Sequence, residues 1–142
     1  MTDILLSLLF GMVATAGFAG LTHAPRRTWL PASVVGGIGY MLYEILQRGG
    51  VAEPASMFAG VLCACILSQI LARKMRVIAT IFITLSIIPC VPGLGLYRTM
   101  VFLGQRQAYE ALICGVNTMI DIMMIALAAG VSEFAVRCFQ RK

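Results

Sequence analysis

The sequence predicts an all-α, polytopic membrane protein with about five transmembrane helices, the fourth of them broken at a proline–glycine motif. Three observations carry that expectation. The 142-residue chain is 60 % hydrophobic and only 12 % charged, with a mean hydropathy of +0.92, whereas soluble domains are about 25 % charged. Its apolar residues gather into segments near the ~20 residues that a spanning helix needs. Its basic residues fall in short clusters between those segments, as membrane-flanking charge does. A single transmembrane domain over residues 1–142 is expected, with no room for a soluble one. The net charge of +5 gathers on no one basic face, which argues against nucleic acid as a partner.

Residues 4–21 form the first segment. Asp3 stands where a signal peptide would have a positive n-region, and the apolar run is longer than a typical h-region. It reads as a retained first helix. The second and third segments, 31–46 and 54–71, each open on a proline. Proline suits a first helical turn, where its missing N–H has no partner anyway. The last segment is 108–134. Between the third and the last lies the stretch that does not fit. Residues 77–88 give about 18 Å of helix against a hydrocarbon core of about 30 Å.

That short segment runs into SIIPCVPGLGLYRTM, where Pro89, Pro92, Gly93 and Gly95 lie within seven positions. Proline removes a backbone donor and clashes with the preceding turn, so a helix cannot pass through unbroken. In lipid such a break is tolerated only where protein or a water-filled cavity surrounds it. Either residues 96–104 complete the crossing as a second half-helix, so that 77–104 is one discontinuous span, or the segment is re-entrant. Basic charge favours the first. Five crossings put Arg26, Arg27, Arg73, Lys74, Arg76, Arg137, Arg141 and Lys142 on one side, against Arg48, Arg98 and Arg106. A re-entrant segment moves the C-terminal cluster across and weakens the asymmetry. The expected orientation is N-terminus outside and C-terminus cytoplasmic.

Small residues at four-residue spacing (Gly60, Ala64 and Ser68; Ser33 and Gly37, or Ala32 and Gly36) allow helices to approach closely in membranes. They are packing signals. The nine methionines read as adaptable packing as well. All five cysteines lie in or at the ends of apolar segments. Cys63 and Cys65 point to nearly opposite helix faces, so no metal and no cofactor is expected.

Ionisable residues inside apolar segments say more, since they are costly in lipid and usually face a bundle interior. Asp121 is the deepest, and Asn117 lies one turn earlier on the same face. The pair reads either as a proton-carrying or substrate-contacting site or as an interhelical hydrogen-bonding pair. Glu44 reads as a headgroup-level charge, and Asp3 and Glu133 as interfacial residues. Arg98, next to Tyr97 beyond the break, either snorkels to the outer interface or holds an anionic group. His23 lies in a basic loop without a partner. No H-E-x-x-H, G-x-S-x-G or Walker pattern occurs, and no enzyme is expected.

The stretch IIPCVPGLGLYRTM resembles the signature of the threonine/serine exporter (ThrE) superfamily, an I-P-x-x-P-G core followed by a small residue, a tyrosine and a methionine. VATAGFAGLTHAPRR resembles the first helix of the family's small membrane subunit, and WLPASVVGGIGYML the glycine-rich helix that follows. The spacing from EPASMFAGVLCACILSQILARKMRV into the proline motif also matches. The resemblance covers nearly the whole chain and is closest to the short, YjjB-like type. It implies secondary-active export of a small polar metabolite (threonine, serine or a dicarboxylate such as succinate) across the bacterial inner membrane. It implies as partner a larger YjjP-like subunit, alongside further copies of the chain. Pro89, Pro92, Gly93 and Tyr97 carry over as motif residues. Asp121, Asn117, Arg98 and Gly95 stand on the residue reading alone. Two other functions remain open: a non-transporting subunit that stabilises or regulates a partner, and a small channel.

Overall fold

The computed structural model describes residues 2–140, and every regular element among them is helical. The elements are α1 (Thr2–Leu21), α2 (Arg26–Arg48), α3 (Glu53–Met75), α4 (Ala79–Ile87), a 3-10 turn (Ile88–Cys90), α5 (Gly93–Gly104) and α6 (Ala108–Gln140). Four helices are long and apolar enough to cross a membrane. The pair flanking the break passes the same test jointly and is bent by 52°. The protein is an all-α, multi-pass membrane protein. Arg141 and Lys142, and the side chains of Asp3 and Arg137, lie outside the described residues.

Most helices run past the apolar segments that announce them. α2 begins at Arg26 rather than at Pro31, so Pro31 sits inside the helix and Pro25 takes the N-cap position. Thr28 Oγ1 donates to Pro25 O at 2.8 Å, and Trp29 Nε1 to Ala24 O at 2.8 Å. These bonds fix the basic turn as helix despite its charge. α3 likewise continues through Arg73 and Lys74 to Met75, and Arg76 ends it in the left-handed conformation (φ 53°). Hydropathy marks where side chains change character, but long basic side chains reach the interface from a backbone that stays helical.

α1 packs on α2, α2 on α3, and α3 on α6, with α4 against α2 and α3. The α2–α3 contact is set by glycine. A Cβ on Gly39 would lie 2.7 Å from Ala64 Cβ, and one on Gly60 would lie 2.8 Å from Gly39 O. The row Gly60–Ala64–Ser68 is therefore a buried packing face. Around it sits a core of Tyr43, Met57, Val61, Cys65, Cys90 and Ala128. A second cluster (Ala19, Ala32, Ala72, Phe82 and Leu85) holds the base of α4.

Buried hydroxyls tie the short α4 down. Ser68 and Ser86 share a hydrogen bond of 2.7 Å between α3 and α4, and Ser86 also donates to Phe82 O. Gln69 Nε2 donates to Ser132 Oγ at 3.2 Å, joining α3 to α6. Replacing Ser68 by alanine is expected to destabilise the protein by about 0.6–1.7 kcal/mol, the range for interhelical bonds in membranes. Reversible unfolding in detergent micelles measures it, and Thr84→Ala, which loses only a bond to its own helix at an exposed position, is the reference.

α5 is different. None of its residues is buried, and among the described residues it rests almost entirely on α6. A Cβ on Gly95 would lie 2.5 Å from Thr118 Oγ1, so this contact also depends on a missing side chain. α6 pairs with α3 at Ser132 and Gln69, and Asp121 shares a cavity with Glu53, the first residue of α3.

Candidate functional site

The break is brief because each proline is used where it costs little. Pro89 opens the 3-10 turn, Val91 N donates to Ile88 O at 3.1 Å, and Gly93 N donates to Val91 O at 2.7 Å. Pro92 then caps α5, whose Leu96 N reaches back to Pro92 O at 3.3 Å. Two helices thus end and begin within a few residues, with Cys90 packed in the core while Val91, Gly93 and Leu94 stay exposed.

At that point the structure opens a cavity of about 390 Å³. Pro89, Pro92, Gly93 and Gly95 line it from the break, Arg98 from the second turn of α5, and Asn117 and Asp121 from α6. These are the residues singled out from the sequence, with one exception. Tyr97 does not line the cavity and is 67 % exposed. Arg98, read either as a snorkelling residue or as a holder of an anionic group, contributes to the wall. It forms no ion pair among the described residues.

Away from the break and α6, the wall is completed by residues that were not anticipated: Tyr40 and Tyr43 on α2, and Glu53 and Met57 on α3. The two tyrosine rings lie 5.8 Å apart. Their three-residue spacing, which puts both on one helix face, was the available signal. Glu53 had none, because an acidic residue in a first helical turn is explained by the helix dipole alone.

Asp121 is 7 % exposed as a residue and accepts no hydrogen bond among the described residues, so what remains exposed of it includes its carboxylate, open to the cavity. Asn117, one turn away, is exposed. They are not the hydrogen-bonded packing pair that was one of the two readings of this face. Thr118, between them, is the packing residue, buried against Gly95 and bonded to Cys114 O at 2.8 Å. The other ionisable residues lie elsewhere. Glu44 pairs with Arg48 at 2.9 Å on an exposed turn of α2. Glu133 is exposed near the far end of α6. His23 Nδ1 lies 3.2 Å from Leu21 O, beside a separate and largely apolar cavity of about 270 Å³. No three His, Cys, Asp or Glu side chains converge among the described residues.

The order of these elements, a small-residue helix pair, a third helix, the proline–glycine break and a long last helix, can be compared with known families. The family model described as "Threonine/Serine exporter, ThrE" matches residues 7–135. The chain belongs to the threonine/serine exporter family. The match spans α1 to α6, so the break and every residue of the cavity wall lie within it. A transport role of the threonine/serine exporter type follows from that membership. No match was found among curated proteins or solved structures.

Proposed function

We propose that this chain is a subunit of a secondary-active exporter in the bacterial inner membrane, and that its cargo, a small polar metabolite, passes through the cavity at the break. The observation that carries this reading is the convergence itself. A discontinuous helix, an arginine, an amide and a buried carboxylate meet in one cavity, with a volume at the low end of the range for ligand pockets. Discontinuous helices present unpaired backbone groups and helix ends to substrates in transporters. Here the first turn of α5 lines the cavity with its N-terminal, positive end.

The orientation proposed is N-terminus outside. The 52° bend falls far short of a reversal, which supports a broken fourth crossing, five in all, over a re-entrant loop. The companion proposed is a larger YjjP-like subunit, alongside further copies of this chain, since six helical pieces are few to enclose an alternating-access path. Intracellular threonine, serine and succinate, measured after loading with and without the expressed pair, test the reading. One of the three falls when both chains are present. Unchanged levels of all three from an assembled pair would refute it.

A second reading, an accessory subunit that does not transport, is favoured by one observation. α5 buries nothing of its own, and away from the cavity it and α6 carry exposed Met100, Leu112 and Met119. Under that reading substitutions in the cavity leave efflux normal while substitutions on this face abolish assembly.

A further inference from the structure

Glu53 and Asp121 belong to different helices, yet both line the main cavity, and both line a smaller adjoining one of about 210 Å³ with Pro54, Asn117 and Ile120. Glu53 alone would need no special account, because a carboxylate in the first turn of α3 is favoured by the helix dipole. Asp121 does need one. It is buried to more than nine-tenths in the middle of α6, accepts no hydrogen bond, and has a second carboxylate as its neighbour rather than a cation. Two like charges sharing a cavity repel one another, and a carboxylate that opens on a cavity with no cation beside it is best stabilised by a cation that enters there.

Arg98 does not resolve this. It borders the same cavity but is not within ion-pair distance of either carboxylate. The cavity therefore keeps its charges apart. Arg98 and the first turn of α5 form a positive side, and Glu53 and Asp121 a negative one.

Resting on the transport reading above, we propose that Glu53 and Asp121 form a two-carboxylate seat for one ammonium group, which selects an amine-bearing cargo over a dicarboxylate. An ammonium offers three donors and one positive charge. The two carboxylates and the Asn117 amide supply acceptors for them. A divalent metal would want more ligands than the described residues bring together. A dicarboxylate could set one carboxylate against Arg98, but its other would meet Glu53 and Asp121.

The test is ligand binding to the purified assembly of this chain with its companion in lipid nanodiscs, followed by thermal unfolding. The probes are threonine, threonine methyl ester (ammonium without carboxylate), succinate and sodium ion. Threonine and its methyl ester raise the unfolding temperature, and succinate does not. Glu53→Gln and Asp121→Asn each weaken methyl-ester binding by about tenfold or more, Glu53→Asp recovers part of it, and Glu44→Gln changes nothing. The proposal is overturned if Glu53→Gln binds the ester as wild type does, if succinate binds as well as threonine, or if no amine probe binds. Stabilisation by sodium alone, lost in the same two variants, would assign the seat to a coupling cation and also overturn it. The cell-efflux assay scores the transport reading separately, so failure of the seat and failure of the exporter are distinguishable.

Discussion

Replacing Asp121 by asparagine is expected to reduce threonine efflux on the order of tenfold or more while leaving the protein folded and assembled. The substitution keeps the side chain's size and removes its charge. No hydrogen bond or ion pair among the described residues depends on that charge, so the fold has little to lose. The effect on transport comes from the cavity, where a carboxylate facing a cation contributes about 1.5–3 kcal/mol, and each 1.4 kcal/mol is a factor of ten. Efflux from preloaded cells, normalised to the amount of assembled protein, gives the number. An asparagine variant that assembles and exports normally would remove Asp121 from the site and favour the accessory reading.

Gly60→Leu is expected to act in the opposite way, by destroying the fold rather than the site. The Gly60 position faces Gly39 O and Tyr43 at distances no side chain can occupy. Even a methyl group there would push α2 and α3 apart, and a leucine is expected to cost more than about 3 kcal/mol. The same displacement moves Tyr43 and Met57, which sit in both the core and the cavity wall. The measurement is the yield of monodisperse protein and its unfolding midpoint in detergent. Gly17→Ala, at a position with nothing within 4 Å, should stay within about 0.5 kcal/mol of wild type. Equal behaviour of the two variants would mean that the glycine contact between α2 and α3 is not what holds the bundle.

Most of the fold was legible because membranes impose so few solutions. Segment length and hydropathy located α1, α2, α3 and α6, and the shortness of residues 77–88 exposed the break before any contact was known. Helix ends were less legible. Pro31 and Arg73 show why: hydropathy changes at the interface, whereas the backbone ends where its hydrogen bonds end, and Trp29 and Arg76 set those limits.

The candidate site divided in the same manner. Pro89, Pro92, Gly93 and Asp121 could be found because each is an anomaly in an apolar segment. Arg98 was ambiguous, since one sequence position serves snorkelling and cavity lining equally well. Glu53, Tyr40 and Tyr43 are ordinary where they stand in the chain. They become part of a site only because the α2–α3 glycine contact brings them opposite the break, and sequence spacing does not encode that distance. Tyr97 shows the reverse. It belongs to the motif that the family resemblance supplied, yet its side chain points away from the cavity.

The central claim is that cargo occupies the cavity where the break meets α6. Cys114, half-buried and lining that cavity with its Sγ 3.6 Å from Gly95 O, is a native reporter for it. In a variant keeping Cys114 as its only cysteine, the rate of modification by a small water-soluble thiol reagent can be followed in membranes containing the assembled protein. The account predicts that saturating threonine slows that rate several-fold, and that Asp121→Asn abolishes the protection. A rate that stays the same with and without cargo, in a preparation that exports it, would place the path elsewhere.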